Sequence, residues 1–160
     1  MSPEPVNKTT VILLGTDTPI GLAVIRDLGR HGYTVIGIGR SAQSIGAASR
    51  YCAFHEVRAS GEPAILKQIA DLTGKFNADY LLAISEGDLK MINRHRDEIE
   101  KSLMPIVPDA HKLGQVLDKV TCQNIAAEVG IRTPRTFNLM TFAEAETVSR
   151  SVSYPVVLKW

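Results

Sequence analysis

Two rhythms alternate along the chain. The run "TVILL" (Thr10–Leu14), apolar on both faces, reads as a buried parallel strand, and "TVIGIG" (Thr34–Gly39) and "DYLLAIS" (Asp79–Ser85) read as further strands. "CAFHEV" (Cys52–Val57) reads as a third, short strand and "MPIVP" (Met104–Pro108) as a brief last one. Between them the spacing turns helical. Gly21, Val24, Ile25 and Leu28 share one face of a helix that Thr18 caps and Pro19 opens, with His31-Gly32 as its stop. "PAILKQIADLTGKF" presents Ile65, Ile69 and Leu72 on one face, and "EGDLKMINRHRDEIEKSL" (Glu86–Leu103) reads as one helix. Ser85 and Asp88 have the spacing of a capping box. Strands alternating with helices predict an α/β fold, a parallel sheet with helices on both faces.

Beyond Pro108 the rhythm changes. "DAHKLGQVL" is a short helix, and "DKVTCQNIAAEVG" a second one between an Asp118 cap and a Gly130 stop. Cys122, Ile125, Ala126 and Val129 share a face, which predicts Cys122 as a core residue. "IRTPRTFNLM" predicts a turn and a strand, "FAEAETVSRSV" a helix, and "YPVVLKW" the start of another strand.

Composition narrows the setting. The 160 residues carry a net charge of +1, and no run of Lys and Arg stands out, which excludes nucleic-acid or acidic-membrane binding by bulk charge. "RHRDEIEK" is mixed in sign and reads as a solvated helix face. The polar opening "MSPEPVNKTT" reads as a loose tail, and no apolar run approaches the ~20 residues of a membrane span. Two cysteines with no C-x-x-C fit a reducing, cytoplasmic setting.

The turn "GTDTPIG" (Gly15–Gly21) carries the first candidate chemistry. Open parallel sheets bind ligands at the carboxyl ends of their strands, and a helix start there favours anions. The dinucleotide signature G-x-G-x-x-G is absent, and in the G-x-x-x-G-x-G variant Pro19 replaces the middle glycine. Proline offers no N–H to a phosphate, and its ring obstructs close approach. Arg40 stands after the second strand where a ribose-binding acid is usual, which keeps an NADP-binding reductase-like reading as an alternative. Against it, none of the four tyrosines is followed four residues later by lysine, the usual reductase pair. His31, His55, His95 and His111 show no metal-ligand spacing, and neither G-x-S-x-G nor a Walker loop occurs.

The second half adds a more specific pattern. "LDKVTCQNIAAEVGIRTPRTF" followed by "YPVVLKW" resembles the start of the ATP-grasp domain of carbamoyl-phosphate synthase large chains, biotin carboxylases and related ligases. There a "DK" opens a helix ending in a "GI–P" turn, with a "YPVVLK" strand about forty residues further on. The first half resembles the pre-ATP-grasp domain, a Rossmann-like unit on the acceptor-substrate side. "ASRYCAFHEV" and "SEGD" (Ser85–Asp88) look most like the predicted carboxylate–amine ligase branch.

The resemblance implies that Lys119 and Lys159 contact ATP phosphates and that Gly15 and Glu86 bind the substrate. It implies an activity: a carboxylate activated as an acylphosphate, then displacement of phosphate by an amine, with ATP and Mg²⁺ required. It implies a division into a tail (1–9), a Rossmann-like pre-ATP-grasp domain (10–108), a helical linker (109–134) and an incomplete start of the ATP-grasp domain (135–160). The family's glycine-rich loop and metal-binding side chains follow later than Trp160. The expectation is therefore the N-terminal portion of a larger ligase, inactive alone, its remainder supplied in cis or by a separate subunit. The partners expected are a small carboxylate and an amine. A non-enzymatic domain binding a metabolite or protein partner through the same sheet edge is the other alternative.

Overall fold

A computed structural model describes residues 9–158. The chain divides into two units, the first ending at Ala110 and the second beginning at His111.

The first unit runs β1 (Thr10–Leu14), α1 (Pro19–Arg30), β2 (Thr34–Gly39), β3 (Cys52–Val57), α2 (Glu62–Phe76), β4 (Tyr80–Ala83), α3 (Glu86–Arg94), α4 (Arg96–Ile99) and β5 (Met104–Pro105). Its five strands form a parallel sheet in the order β3-β2-β1-β4-β5. β1 is central and buried at every position. Its apolar residues alternate between two separate cores. Ile12 and Leu14 join Ile36, Ile38 and Leu81 beneath Ile65, Ile69, Met91, Ile92 and Ile99 of α2, α3 and α4. Leu13 and Val35 pack on the other face against Ile25, Val24 and Leu28 of α1. A strand apolar on both faces thus has a helix layer on each, which is why its sequence does not alternate.

α1 starts as expected. The Thr18 hydroxyl accepts from the Gly21 amide at 3.0 Å, and Pro19 holds the first helical position. At the other end the His31 ring Nδ1 lies 2.9 Å from the Asp27 carbonyl, to which it donates. Ser85 caps α3 through the Asp88 amide at 3.1 Å.

Three expectations for this unit are corrected in extent. β4 spans only Tyr80–Ala83, and β5 only two residues. Pro105 and Pro108 have no N–H to extend the β5 ladder. The single helix over 86–103 is broken at His95, whose backbone (φ −115°, ψ 20°) leaves the helical region. Its imidazole lies 2.7 Å from Glu62 at the start of α2, while Arg96 donates to the carbonyls of Val107 and Pro108. These tertiary contacts replace helix continuity.

The second unit contains α5 (Ala110–Leu117), α6 (Lys119–Glu128) and α7 (Phe142–Ser149). Asp118 caps α6 through the Thr121 amide at 2.7 Å. Thr141 and Glu144 form a reciprocal capping box on α7. Two sequence expectations change here. No residue of α6 is buried, and Cys122 is exposed, not a core residue. Residues 131–140 and 154–158, expected to include strands, pair with no strand among the described residues. Met140, Phe142, Val157 and Leu158 are instead about four-fifths exposed.

Candidate functional site

The strand order reverses between β1 and β4, so the carboxyl ends of these two strands mark the switch point at which open parallel sheets bind ligands. Gly15 and Glu86 both lie at this edge. Leu14 is in register with Ala83; Gly15 follows the first strand, and Glu86 opens the helix after the second. Gly15 has φ +98°, a conformation that favours glycine. Its amide donates to the Ile38 carbonyl at 3.0 Å, tying the turn to β2. Glu86 forms an ion pair with Lys90 one helical turn on, both about half exposed. Lys119 is the first residue of α6 in the second unit and is exposed. Lys159 lies outside the described residues.

The turn after β1 is held by side chains that sequence reasoning did not single out. The Asp17 carboxylate accepts the Arg40 amide with both oxygens at 2.9 Å and the Ser44 hydroxyl at 2.6 Å. The Thr16 hydroxyl, fully buried, lies 3.0 Å from His55 Nε2. The Gly46 amide donates to the Thr16 carbonyl at 3.0 Å, which folds the loop after β2 back over the turn. These groups converge on Gly39. A Cβ there would stand 2.2 Å from Thr16 Oγ1, 2.4 Å from Ser44 Oγ and 2.9 Å from His55 Nε2. Gly37 and Gly39 lie two residues apart, hence on one face of β2. That pair inside an apolar strand was the available signal, since strand glycines mark close approach.

Burial raises the Asp17 pKa, but the Ser44 hydroxyl, the Arg40 amide and the Arg40 charge outweigh it, so the carboxyl lies below its ordinary value. Burial lowers the His55 pKa, and the Asp17 charge opposes this only in part. The pair therefore favours an anionic Asp17 beside a neutral imidazole.

This arrangement bears on a dinucleotide. Thr18 takes the Gly21 amide, Pro19 has none to offer, and the Leu22 amide is already bonded to the Thr18 carbonyl. The Asp17 carboxylate holds the Arg40 backbone, placing negative charge beside the residue a 2′-phosphate would need. The turn is thus shaped to brace the sheet edge more than to cradle phosphate.

At the same edge, Arg58 after β3 reaches the first turn of α3. Its guanidinium pairs with Asp88, itself buried and hydrogen-bonded to the Ser85 hydroxyl at 2.7 Å. The Arg58 amide donates to the Gly39 carbonyl at 2.7 Å. Four strand ends are thereby cross-linked around the Gly15 turn. Among the described residues no three His, Cys, Asp or Glu side chains are grouped to hold a metal. None of their helices is long and apolar enough to cross a membrane.

No protein-family model matches the sequence. No curated protein matches it. Solved structures do. An L-amino acid ligase from Bacillus licheniformis aligns over 92% of this chain at 17% identity with a TM-score of 0.62. An N5-carboxyaminoimidazole ribonucleotide synthetase from Thermotoga maritima does so over 92%, at 17% identity and a TM-score of 0.62. The biotin carboxylase domain of the Hydrogenobacter thermophilus 2-oxoglutarate carboxylase, in complex with MgADP, ADP and bicarbonate, aligns over 92% at 18% and 0.60. The alignments cover 35%, 37% and 33% of those chains, so this chain spans about a third of the solved structures it matches. At such identity the likeness is one of fold.

Proposed function

We propose that the chain is the N-terminal portion of an ATP-grasp ligase that joins a carboxylate to an amine through an acylphosphate. One observation carries the reading: the fold likeness to solved carboxylases and ligases extends over 92% of the chain, well past the parallel sheet and into the segment of the lysine-bearing pattern. A nucleotide-binding sheet alone would account only for the first unit.

In this reading the unit up to about residue 108 forms the acceptor side. The sheet edge beside Gly15 receives the small carboxylate, and Glu86 and the Ser85–Asp88–Arg58 cluster border it. A carboxylate oxygen attacks the γ-phosphorus of ATP, and ADP leaves. The amine then attacks the acyl carbon, and inorganic phosphate departs with the former carboxylate oxygen. Lys119 and Lys159 supply positive charge to the ATP phosphates, which matters because phosphoryl transfer depends chiefly on positioning and charge stabilisation. The Asp118 cap fixes where α6 begins, so Lys119 sits in the first turn, where the helix dipole adds to its field. Mg²⁺ would add the same kind of charge. The exposed Met140, Phe142, Val157 and Leu158 support the reading that further structure covers the second unit.

The test uses the full-length gene product with ATP, Mg²⁺, an amine donor and a panel of small carboxylates. ADP and phosphate release that requires both carboxylate and amine is expected. A parallel NADPH titration should show no micromolar binding. NADPH binding at a micromolar dissociation constant, about −8 kcal/mol, without carboxylate-dependent ATP consumption, would replace this reading with the reductase-like one.

A further inference from the structure

α1 carries Arg26 and Arg30 one turn apart, so both guanidinium groups project from the same side of the helix. The segment leading into β3 brings Ser49, Arg50 and Tyr51 beside them. These residues, with Ala48, line an open cleft of about 400 Å³. No acidic side chain lines it. Arg58, Arg94, Arg96 and Arg150 each pair with a carboxylate. Among the described residues Arg26, Arg30 and Arg50 pair with none. Arg30 in the last turn suits the helix dipole. That accounts for one cation and leaves two more gathered beside it.

The cleft is also built on a local concession. Gly29 lies inside α1, where alanine would be the better helix former. A Cβ there would stand 2.5 Å from Tyr51 Cβ and 2.6 Å from its Cδ1, so the missing side chain is the space in which Tyr51 sits. Tyr51 in turn orients Arg50, whose guanidinium lies 4.9 Å from the ring centroid and donates to the phenol oxygen at 3.0 Å. The phenol oxygen accepts this bond, and its own proton is left to donate. The Arg50 hydrogen bond holds the phenol below its ordinary pKa, with burial opposing and Arg30 acting in the same direction.

From this geometry we infer that the cleft binds a multiply charged phosphate group carried by a small molecule. A single carboxylate is matched by one guanidinium fork. Three forks with two hydroxyl donors suit a group with more oxygens and more than one negative charge, and arginine recognises phosphate bidentately. The volume falls in the range of small-molecule sites. Arg30 lies nine residues beyond Gly21, about 13 Å further along α1. The cleft is thus separate from the carboxyl edge of the sheet, and the inference does not depend on the ligase reading.

NMR of the 160-residue chain, titrated with inorganic pyrophosphate at constant ionic strength, tests it. The expected result is saturable movement of the Arg26, Arg30 and Arg50 side-chain Nε–H signals and of the Tyr51 amide, with a dissociation constant of about 1 mM or tighter. Arg26→Gln and Arg50→Gln should each weaken binding tenfold or more, with unchanged thermal midpoints because both side chains are exposed. Three results would overturn the inference: shifts spread without saturation over Lys67, Lys75 and Lys90; unchanged affinity in both variants; or tighter binding of a hexaglutamate peptide than of pyrophosphate, which would make the cleft a docking point for an acidic protein segment.

Discussion

His55 shows how one buried contact sets a pH dependence. Its imidazole faces Thr16 in a partly buried site, and burial holds its pKa below the ordinary value of 6.5. As pH falls below about 6.5 the unfolded chain takes up this proton first. The stabilisation is therefore complete above that pH and is lost as pH falls toward the folded value. Asp17 acts in the same direction at lower pH, since its folded pKa lies below 3.8. The urea midpoint should fall between pH 7.5 and pH 5.5, and His55→Gln should flatten that part of the profile. An unchanged slope in His55→Gln would show that His55 does not cause it. None of this was legible from residue spacing. Thr16, Asp17, Ser44 and His55 come from three separated segments, and only the fold brings them to Gly39.

At the scale of elements, α1 rests on the turn that precedes it. A Cβ at Gly21 would stand 2.3 Å from the Gly15 carbonyl oxygen. Alanine is favoured over glycine in a helix by about 1 kcal/mol, but this overlap is with backbone and cannot be relieved by a rotamer change. Gly21→Ala should therefore destabilise the first unit by about 1–3 kcal/mol, read as a lower urea midpoint. A midpoint that rises would mean the turn yields easily. The elements of the first unit were readable because each was specified locally: Thr18 and Pro19 start α1, and unbroken apolar runs mark β1 and β2. The break at His95 was not, because it depends on Glu62 and on the Val107 and Pro108 carbonyls, distant in sequence. In the second unit the apolar spacing of Cys122, Ile125, Ala126 and Val129 predicted a buried face. Periodicity reports which residues share a face and not whether anything covers it.

For the molecule as a whole, the two lysines of the ATP-grasp-like pattern separate the proposed ligase from a sheet that merely resembles one. In the full-length protein, Lys119→Ala or Lys159→Ala should raise the apparent ATP constant or lower turnover about ten- to a hundredfold, since a charge-assisted contact to phosphate contributes about 1.5–3 kcal/mol. Lys119 is exposed, so Lys119→Ala should leave the thermal midpoint of the nucleotide-free protein almost unmoved. Full activity in both variants would return the lysines to an ordinary surface role. With a carboxylate substrate labelled with ¹⁸O, the full-length enzyme should transfer one labelled oxygen to inorganic phosphate for each amide bond formed. Unlabelled phosphate, or label recovered in AMP beside pyrophosphate, would contradict an acylphosphate ligase.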